Sequence, residues 1–536
     1  MAANPIAHRS TLPGVLEHAA TRDPEAPAII EAAGTLSHRE MYAAARDTAA
    51  GLVELGVAPG DRVGIWLPNG AEWAIAAYGV SCAGAVAVPL NTRYTVPEAA
   101  DIIARSGCAV VVADGAPPYG SSRDGIAPYG PAPGPGPGDA AAAAGARTVV
   151  GVRGLAGGGT AASAAEVGRR MRALTPDDLS HVQYTSGTTG RPKGALLRHG
   201  AMVATTRTWV EITGLRAGDR YPVVAPFSHI GGHKTGLLAC AVAGAAALPQ
   251  VALDVPVLVR AISEHGVTVL QGPPTMYQAL LARVAEGAAA LPRSVRVAVT
   301  GAASVPPGLI RDLRTVLGVR SVFTAYGLTE ASGVCTMTRA DDEVTAVAET
   351  AGRAIPGVRV RIDGPEGPGE ILVRGAGLMA GYLDDPEATA EALRDGWLRT
   401  GDVGVLDEHG RLRVVDRLKD LVIVGGLNVY PAEVERVLLD HPAIAAAAVV
   451  GVPHERLGEV PAAFVVGAQR SPGVPGPSAA EVTAFCRARL AGFKAPRTIW
   501  WVGELPLNAA GKVAKAELRI EAARRMRALP AGPAHP

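Results

Sequence analysis

The chain has 536 residues, 48% hydrophobic, 4% aromatic and 19% charged, with a net charge of +1. That length supports two or more domains around a large core of small aliphatic side chains. The near-neutral balance argues against nucleic acid or an anionic membrane surface as the main partner.

The N-terminus has no charged start followed by an apolar core, so no secretory signal is expected. Met41 to Leu55 reads as an amphipathic helix ending at Gly56, and Asp61 to Trp66 as a strand. Ala71 to Leu90 comes nearest to a membrane span. Glu72, Gly79, Ser81, Gly84 and Pro89 interrupt it, so a buried helix-turn-strand is expected and no membrane span. Ala109 to Ala113 reads as another strand. Residues 115–145, with PAPGPGPG and AAAAAG runs, form a low-complexity insertion that can bury little.

Ile262 to Leu281 reads as helix end, strand, loop and helix. Val295 to Thr300 is a strand running into Gly301-Ala302-Ala303-Ser304, and Ser321 to Thr324 runs into Ala325-Tyr326-Gly327-Leu328-Thr329-Glu330. Small-residue loops at strand C-termini are where α/β sheets bind ligands. After Arg361 short strands dominate: Glu370 to Arg374, Gly401 to Leu406 and Arg411 to Val415. A boundary is expected near Asp416 to Lys419. A smaller α+β domain follows, with strands at Leu421–Val424, Ala445–Val452, Ala462–Val466 and Thr498–Val502 and helices at Pro431–Leu439 and Ala480–Leu490. The last residues, rich in Arg, Ala and Pro, read as a frayed tail. Cys82, Cys108, Cys240, Cys335 and Cys486 show no CxxC spacing, which favours reduced thiols in a cytoplasmic protein.

The run Tyr184-Thr185-Ser186-Gly187-Thr188-Thr189-Gly190-Arg191-Pro192-Lys193-Gly194 is the strongest chemical signal. Glycines turn backbone N–H groups toward one point, hydroxyls add donors and the lysine adds charge, which together suit polyphosphate. The spacing is not that of a Walker A loop.

Taken in order, YTSGTTGRPKG (184–194), GAAS (301–304), YGLTE (326–330), GEILVRGAGLMAGY (369–382), WLRTGD (397–402), DRLKDLVIVGGLNVYPAEVE (416–435) and PLNAAGK (506–512) resemble the motifs of the adenylate-forming superfamily of acyl-CoA synthetases, luciferases and nonribosomal adenylation domains. The pattern is nearest to actinobacterial ligases for the propionate left by steroid-ring degradation. The resemblance implies a large α/β domain (1–416) of layered sheets flanked by helices, with a small β-rich subdomain. It also implies a hinge at 417–420 and a mobile α+β lid domain at 421–536. It implies an ATP-dependent carboxylic acid–CoA ligase, monomer or homodimer, that uses Mg²⁺ and coenzyme A and releases AMP and pyrophosphate.

By the same resemblance Thr185, Ser186, Gly187, Thr188, Thr189, Gly190 and Lys193 would hold the β- and γ-phosphates. Gly301, Ala302, Ala303, Tyr326 and Gly327 would line the adenine. Thr329 would meet the α-phosphate, and Glu330 would place Mg²⁺. Asp402, with Arg417 nearby, would bind the ribose. Lys512 would reach the reacting carboxylate, Lys419 would be the hinge, and Gly425 and Gly426 would border the pantetheine channel. His229 matches a gate, and His233 and Lys234 fall in the acyl pocket. Where the steroid-fragment ligases carry aromatics, this chain has Gly231 and His233, which implies a more polar pocket. Asn508 and Lys515 stand where threonine and arginine are common. The alternative is another acid or acceptor: loading of a carrier protein, or activation of nitrite for transfer to an aryl amine.

Overall fold

The computed structural model describes residues 9–113, 146, 148–185, 192–286, 293–301, 305–364, 367–468, 477–507 and 512–528. The chain divides into two compact units, a larger one of residues 1–361, 372–399 and 407–412 and a smaller one of residues 362–371, 400–406 and 413–536.

In chain order the strands of the larger unit begin with Pro27–Glu31 (β1), Gly34–Ser37 (β2), Arg62–Trp66 (β3), Val86–Pro89 (β4), Val110–Ala113 (β5), Thr148–Val150 (β6), Leu179–Thr185 (β7) and Lys193–Arg198 (β8). There follow Arg220–Val223 (β9), Ala246–Pro249 (β10), Val269–Gln271 (β11), Val297–Gly301 (β12), Ser321–Leu328 (β13), Gly333–Met337 (β14) and Arg353–Ala354 (β15). They build three sheets, ordered β6-β5-β3-β4-β7-β8, β11-β12-β13-β14-β15 and β2-β1-β10-β9. Every residue of β4 and β5 is buried, as parallel strands covered on both faces require.

Local signals set the elements between them. The helix His38–Glu54 starts at a capping box in which Ser37 and Glu40 exchange hydrogen bonds, so it begins three residues before the apolar periodicity does. The segment expected as helix-turn-strand is the helix Ala71–Cys82 followed by β4. Nearly all of that helix is buried, which explains why it is apolar all round. No described helix is long and apolar enough to cross a membrane. The low-complexity insertion, residues 115–145, lies outside the described residues.

Strands Val358–Asp363 (β16), Gly369–Gly375 (β17), Leu393–Arg394 (β18), Trp397–Leu406 (β19) and Leu412–Arg417 (β20) come next. The smaller unit then forms a sheet of Val422–Val424 (β21), Leu427–Val429 (β22), Ile444–His454 (β23), Gly458–Gly467 (β24) and Thr498–Val502 (β25), ordered β22-β21-β24-β23 with β25 parallel to β24. Its core joins Phe464 and Val449 of the sheet to Val434 and Leu438 of the helix Pro431–Leu439 and Val482 of the helix Ala479–Arg487.

The frayed tail is a correction. A helix, Lys515–Ala528, occupies most of it, with Leu518 and Ala522 buried in this core. Ala, Arg and Glu favour helix, Leu518 and Ala522 fall on one face at i,i+4, and Glu521 pairs with Arg524 and Arg525 at 2.7 Å each.

Candidate active site

The described flanks of the polyphosphate-type run are strand residues. Strands β7 and β8 pair antiparallel with Tyr184 opposite Gly194 and Thr185 opposite Lys193. Lys193 is therefore a strand residue held in register. Ser186, Gly187, Thr188, Thr189 and Gly190 lie outside the described residues, as do Ala302 and Ala303.

Strands β12 and β13 are parallel neighbours, and their register sets Gly301 beside Ala325 at the carboxyl edge. Tyr326 and Gly327 follow directly. At Gly327 a Cβ would collide with the Gly333 carbonyl, so only glycine permits this close pairing of β13 with β14. Between the two strands Thr329, which is buried, and Glu330 make a 3₁₀ turn.

Glu330 Oε1 accepts hydrogen bonds from the Tyr382 hydroxyl at 3.0 Å and the Thr185 hydroxyl at 3.4 Å. The Glu330 backbone carbonyl accepts from Met379 N at 2.8 Å. Backbone bonds from Ala380 N to Leu196 O and from Leu383 N to Gly194 O, both 2.8 Å, lay residues 379–383 along β8. The Lys193 ammonium stands 5.3 Å from the centre of the Tyr382 ring. Burial first, then the Glu330 charge, pushes the Tyr382 phenol above its ordinary range, so it acts as a donor. Tyr382 was missed as a site residue. Its motif, GLMAGY, was visible, but nothing in the spacing shows that its ring reaches Glu330.

In the segment expected to line the acyl pocket, His229 is exposed and caps the turn Ile230–Gly232, accepting from Gly231 N at 3.2 Å. The π-helical segment His233–Leu238 follows, a distortion that recurs at functional sites. His233 is buried, with its ring 5.1 Å from Trp73 and 4.6 Å from His181. Burial pushes His233 down to about 4 and holds His181 well below the usual histidine range. Lys234 is 0% exposed and its ammonium has no hydrogen-bond partner among the described residues. Burial lowers its pKa to about 7.

In the smaller unit Arg417 Nε meets Asp402 Oδ1 at 3.1 Å, with the Asp402 carboxylate nearly buried. Lys512 is an exposed residue whose ammonium end lies close to this pair. Crowding away from water, then the Arg417 charge, lowers its pKa against the opposite pull of Asp402. Lys419 sits in the 3₁₀ turn Leu418–Asp420, and Arg519 of the last helix bonds to Lys419 O at 3.2 Å and to Asp420 at 2.6 Å. Gly425 and Gly426, at φ of 57° and 84°, form the two-residue turn of the β21–β22 hairpin. That turn needs positive φ at both positions. Lys494 is engaged with Glu433 at 2.8 Å.

Residues 16–383 match the AMP-binding enzyme family and residues 433–512 its C-terminal domain. The chain belongs to the AMP-binding enzymes. It is 44% identical over 518 residues to a 3-[(3aS,4S,7aS)-7a-methyl-1,5-dioxo-octahydro-1H-inden-4-yl]propanoyl:CoA ligase of Mycobacterium tuberculosis, covering 95% of this chain and 98% of the relative. A feruloyl-CoA synthase of Amycolatopsis is 37% identical, with 93% and 96% covered. Among solved structures, the Bacillus subtilis o-succinylbenzoate coenzyme A synthetase in complex with ATP and magnesium ion superposes with a TM-score of 0.80 at 29% identity, over 94% of this chain and 98% of that one. The enzyme is an AMP-forming acid–CoA ligase that works through an acyl-adenylate, with ATP, Mg²⁺ and coenzyme A.

The donor set fits the metal. Mg²⁺ typically takes one or two carboxylates and completes its octahedron with phosphate and water oxygens. Glu330, ordered by two hydroxyls, offers such a carboxylate.

Proposed function

We propose that Glu330 and Lys512 carry the adenylation step, and that the acid is a cyclic or aromatic carboxylate or a medium-length acyl chain. The ordering of Glu330 by Tyr382 and Thr185 is the observation that carries this reading. The 44% identical propionate ligase and the feruloyl-CoA synthase support that acid class.

In the first half-reaction a carboxylate oxygen attacks the α-phosphorus and the bond to pyrophosphate breaks. Two anions must meet, so catalysis rests on positioned positive charge. Glu330 would hold Mg²⁺, which when bound would supply part of that charge. Lys193 and the hydroxyls of the β7–β8 hairpin bind the outer phosphates, and Thr329 donates to the α-phosphate. Gly301, Tyr326 and Gly327 give the adenine a flat edge. Asp402, oriented by Arg417, accepts from the ribose hydroxyls. Lys512 bridges the carboxylate and α-phosphate, a role that suits a compact ammonium.

In the second half-reaction the CoA thiol attacks the acyl carbon and AMP leaves. The turn at Lys419 serves as the hinge that exchanges Lys512 for the Gly425-Gly426 hairpin, whose bare backbone lets a pantetheine pass. His229 gates the acyl pocket beyond. The buried cysteines suit a reducing, cytoplasmic setting. ATP–pyrophosphate exchange across an acid panel, with product masses taken with and without CoA, tests the reading. Bulky acids giving exchange, AMP and an acyl-CoA mass support it, and exchange without a thioester refutes the CoA half.

A further inference from the structure

Lys234 presents an electrostatic problem that the adenylation chemistry does not use. A buried ammonium without a counter-charge is strongly disfavoured. Its neighbours do not relieve it. His233, next in sequence, and His181, whose ring packs on His233, are held neutral, and Cys335, whose field reaches Lys234, is a thiol. No carboxylate bonds to it among the described residues.

The placement is specific. The Lys234 side chain runs against Gly333 at the start of β14, where a Cβ would lie 3.2 Å from its Nζ. Gly333 follows the Thr329–Ala331 turn that carries Glu330. The ammonium therefore lies against the strand that follows the turn proposed to meet the α-phosphate and Mg²⁺. Gly231 precedes Lys234 by three residues, which sets the two on one face of the helical segment. A Cβ at Gly231 would meet only the His229 ring, at 3.5 Å, so that face is open beside the exposed His229.

We propose that Lys234 is a specificity-determining residue that recognises a compact anionic oxygen group entering past Gly231. This rests on the adenylation reading above. The oxyanion has two possible sources. It is the distal carboxylate of an organic diacid, or it is a small free oxyanion such as nitrite. Either restores the missing counter-charge and keeps the ammonium protonated.

The test uses the full-length enzyme, wild type and Lys234→Met, which keeps the side-chain length and removes the charge. Two matched pairs of probes are hexanoate with adipate, and 3-phenylpropionate with 3-(4-carboxyphenyl)propionate; sodium nitrite is the fifth. Thermal shift with each probe reads binding without requiring activity, and pyrophosphate exchange reads use as substrate. Support is a rise in Tm with a dicarboxylate or nitrite in the wild type that Lys234→Met loses, together with at least a tenfold fall in the diacid-to-monoacid ratio of kcat/KM wherever exchange is seen. Response to dicarboxylates alone assigns the organic source, and response to nitrite alone the inorganic one. Equal responses of the two proteins to every probe, or no anion-dependent shift in the wild type, overturn the proposal. Failure of exchange with all acids while the shift persists refutes the adenylation reading and leaves the anion site standing.

Discussion

The Tyr382 hydroxyl donates to Glu330 Oε1 at 3.0 Å, and this bond joins the segment at 379–383 to the turn after β13. A hydrogen bond to a charged group contributes about 1.5–3 kcal/mol. Tyr382→Phe is expected to lower the rate of pyrophosphate exchange by about tenfold, because Glu330 loses its alignment. The Mg²⁺ concentration for half-maximal exchange should rise in the same variant, a change that loss of packing alone would not produce. Titration of exchange rate against Mg²⁺ measures both.

Stability should depend on pH in a direction fixed by the buried bases. A base whose folded pKa is depressed holds fewer protons folded than unfolded, so stability rises with pH between the two values. For Lys234 that window runs from about 7 up to the ordinary 10.5. For His199 and His233 it runs from about 4 to 6.5. The Tm is therefore expected to climb from pH 5 through pH 8, with the histidine contribution lost as pH falls below 6.5. Lys234→Met should flatten the rise above pH 7, and melting curves across buffers check it.

The Gly425-Gly426 turn gives a way to separate the half-reactions. A Cβ at Gly426 meets nothing within 4 Å, so a side chain there projects into open space. Its φ of 84° costs an L-residue about 1–2 kcal/mol locally. Gly426→Leu is expected to cut acyl-CoA formation by far more than it cuts pyrophosphate exchange, because it obstructs the thiol's route. Parallel assays of the two half-reactions on one preparation decide it, and equal losses would point to damage of the hairpin instead.

Much of this was legible in the sequence. The runs VVVA and VAVP, the Gly425-Gly426 pair and the ordered motifs mark strands, a tight turn and phosphate chemistry by local rules. What was hidden depends on distance along the chain. Tyr382 reaches Glu330 only because residues 379–383 pair with β8, a long-range register that no local period encodes. Lys234 reads as polar, yet its burial against Gly333's strand is set by tertiary packing. The last helix was missed because Arg and Pro suggested fraying, whereas Leu518 and Ala522 had a core to enter.

Lys512 tests the central claim most directly. With its pKa lowered, exchange should decline on the alkaline side before an ordinary lysine would deprotonate. The decisive measurement compares wild type with Lys512→Ala in two assays: pyrophosphate exchange, and thioester formation from a chemically prepared acyl-adenylate plus CoA. Exchange is expected to fall at least about a hundredfold while thioester formation from the supplied adenylate stays within a few-fold. Undiminished exchange in Lys512→Ala would contradict a charge-neutralising role for this amine in adenylation.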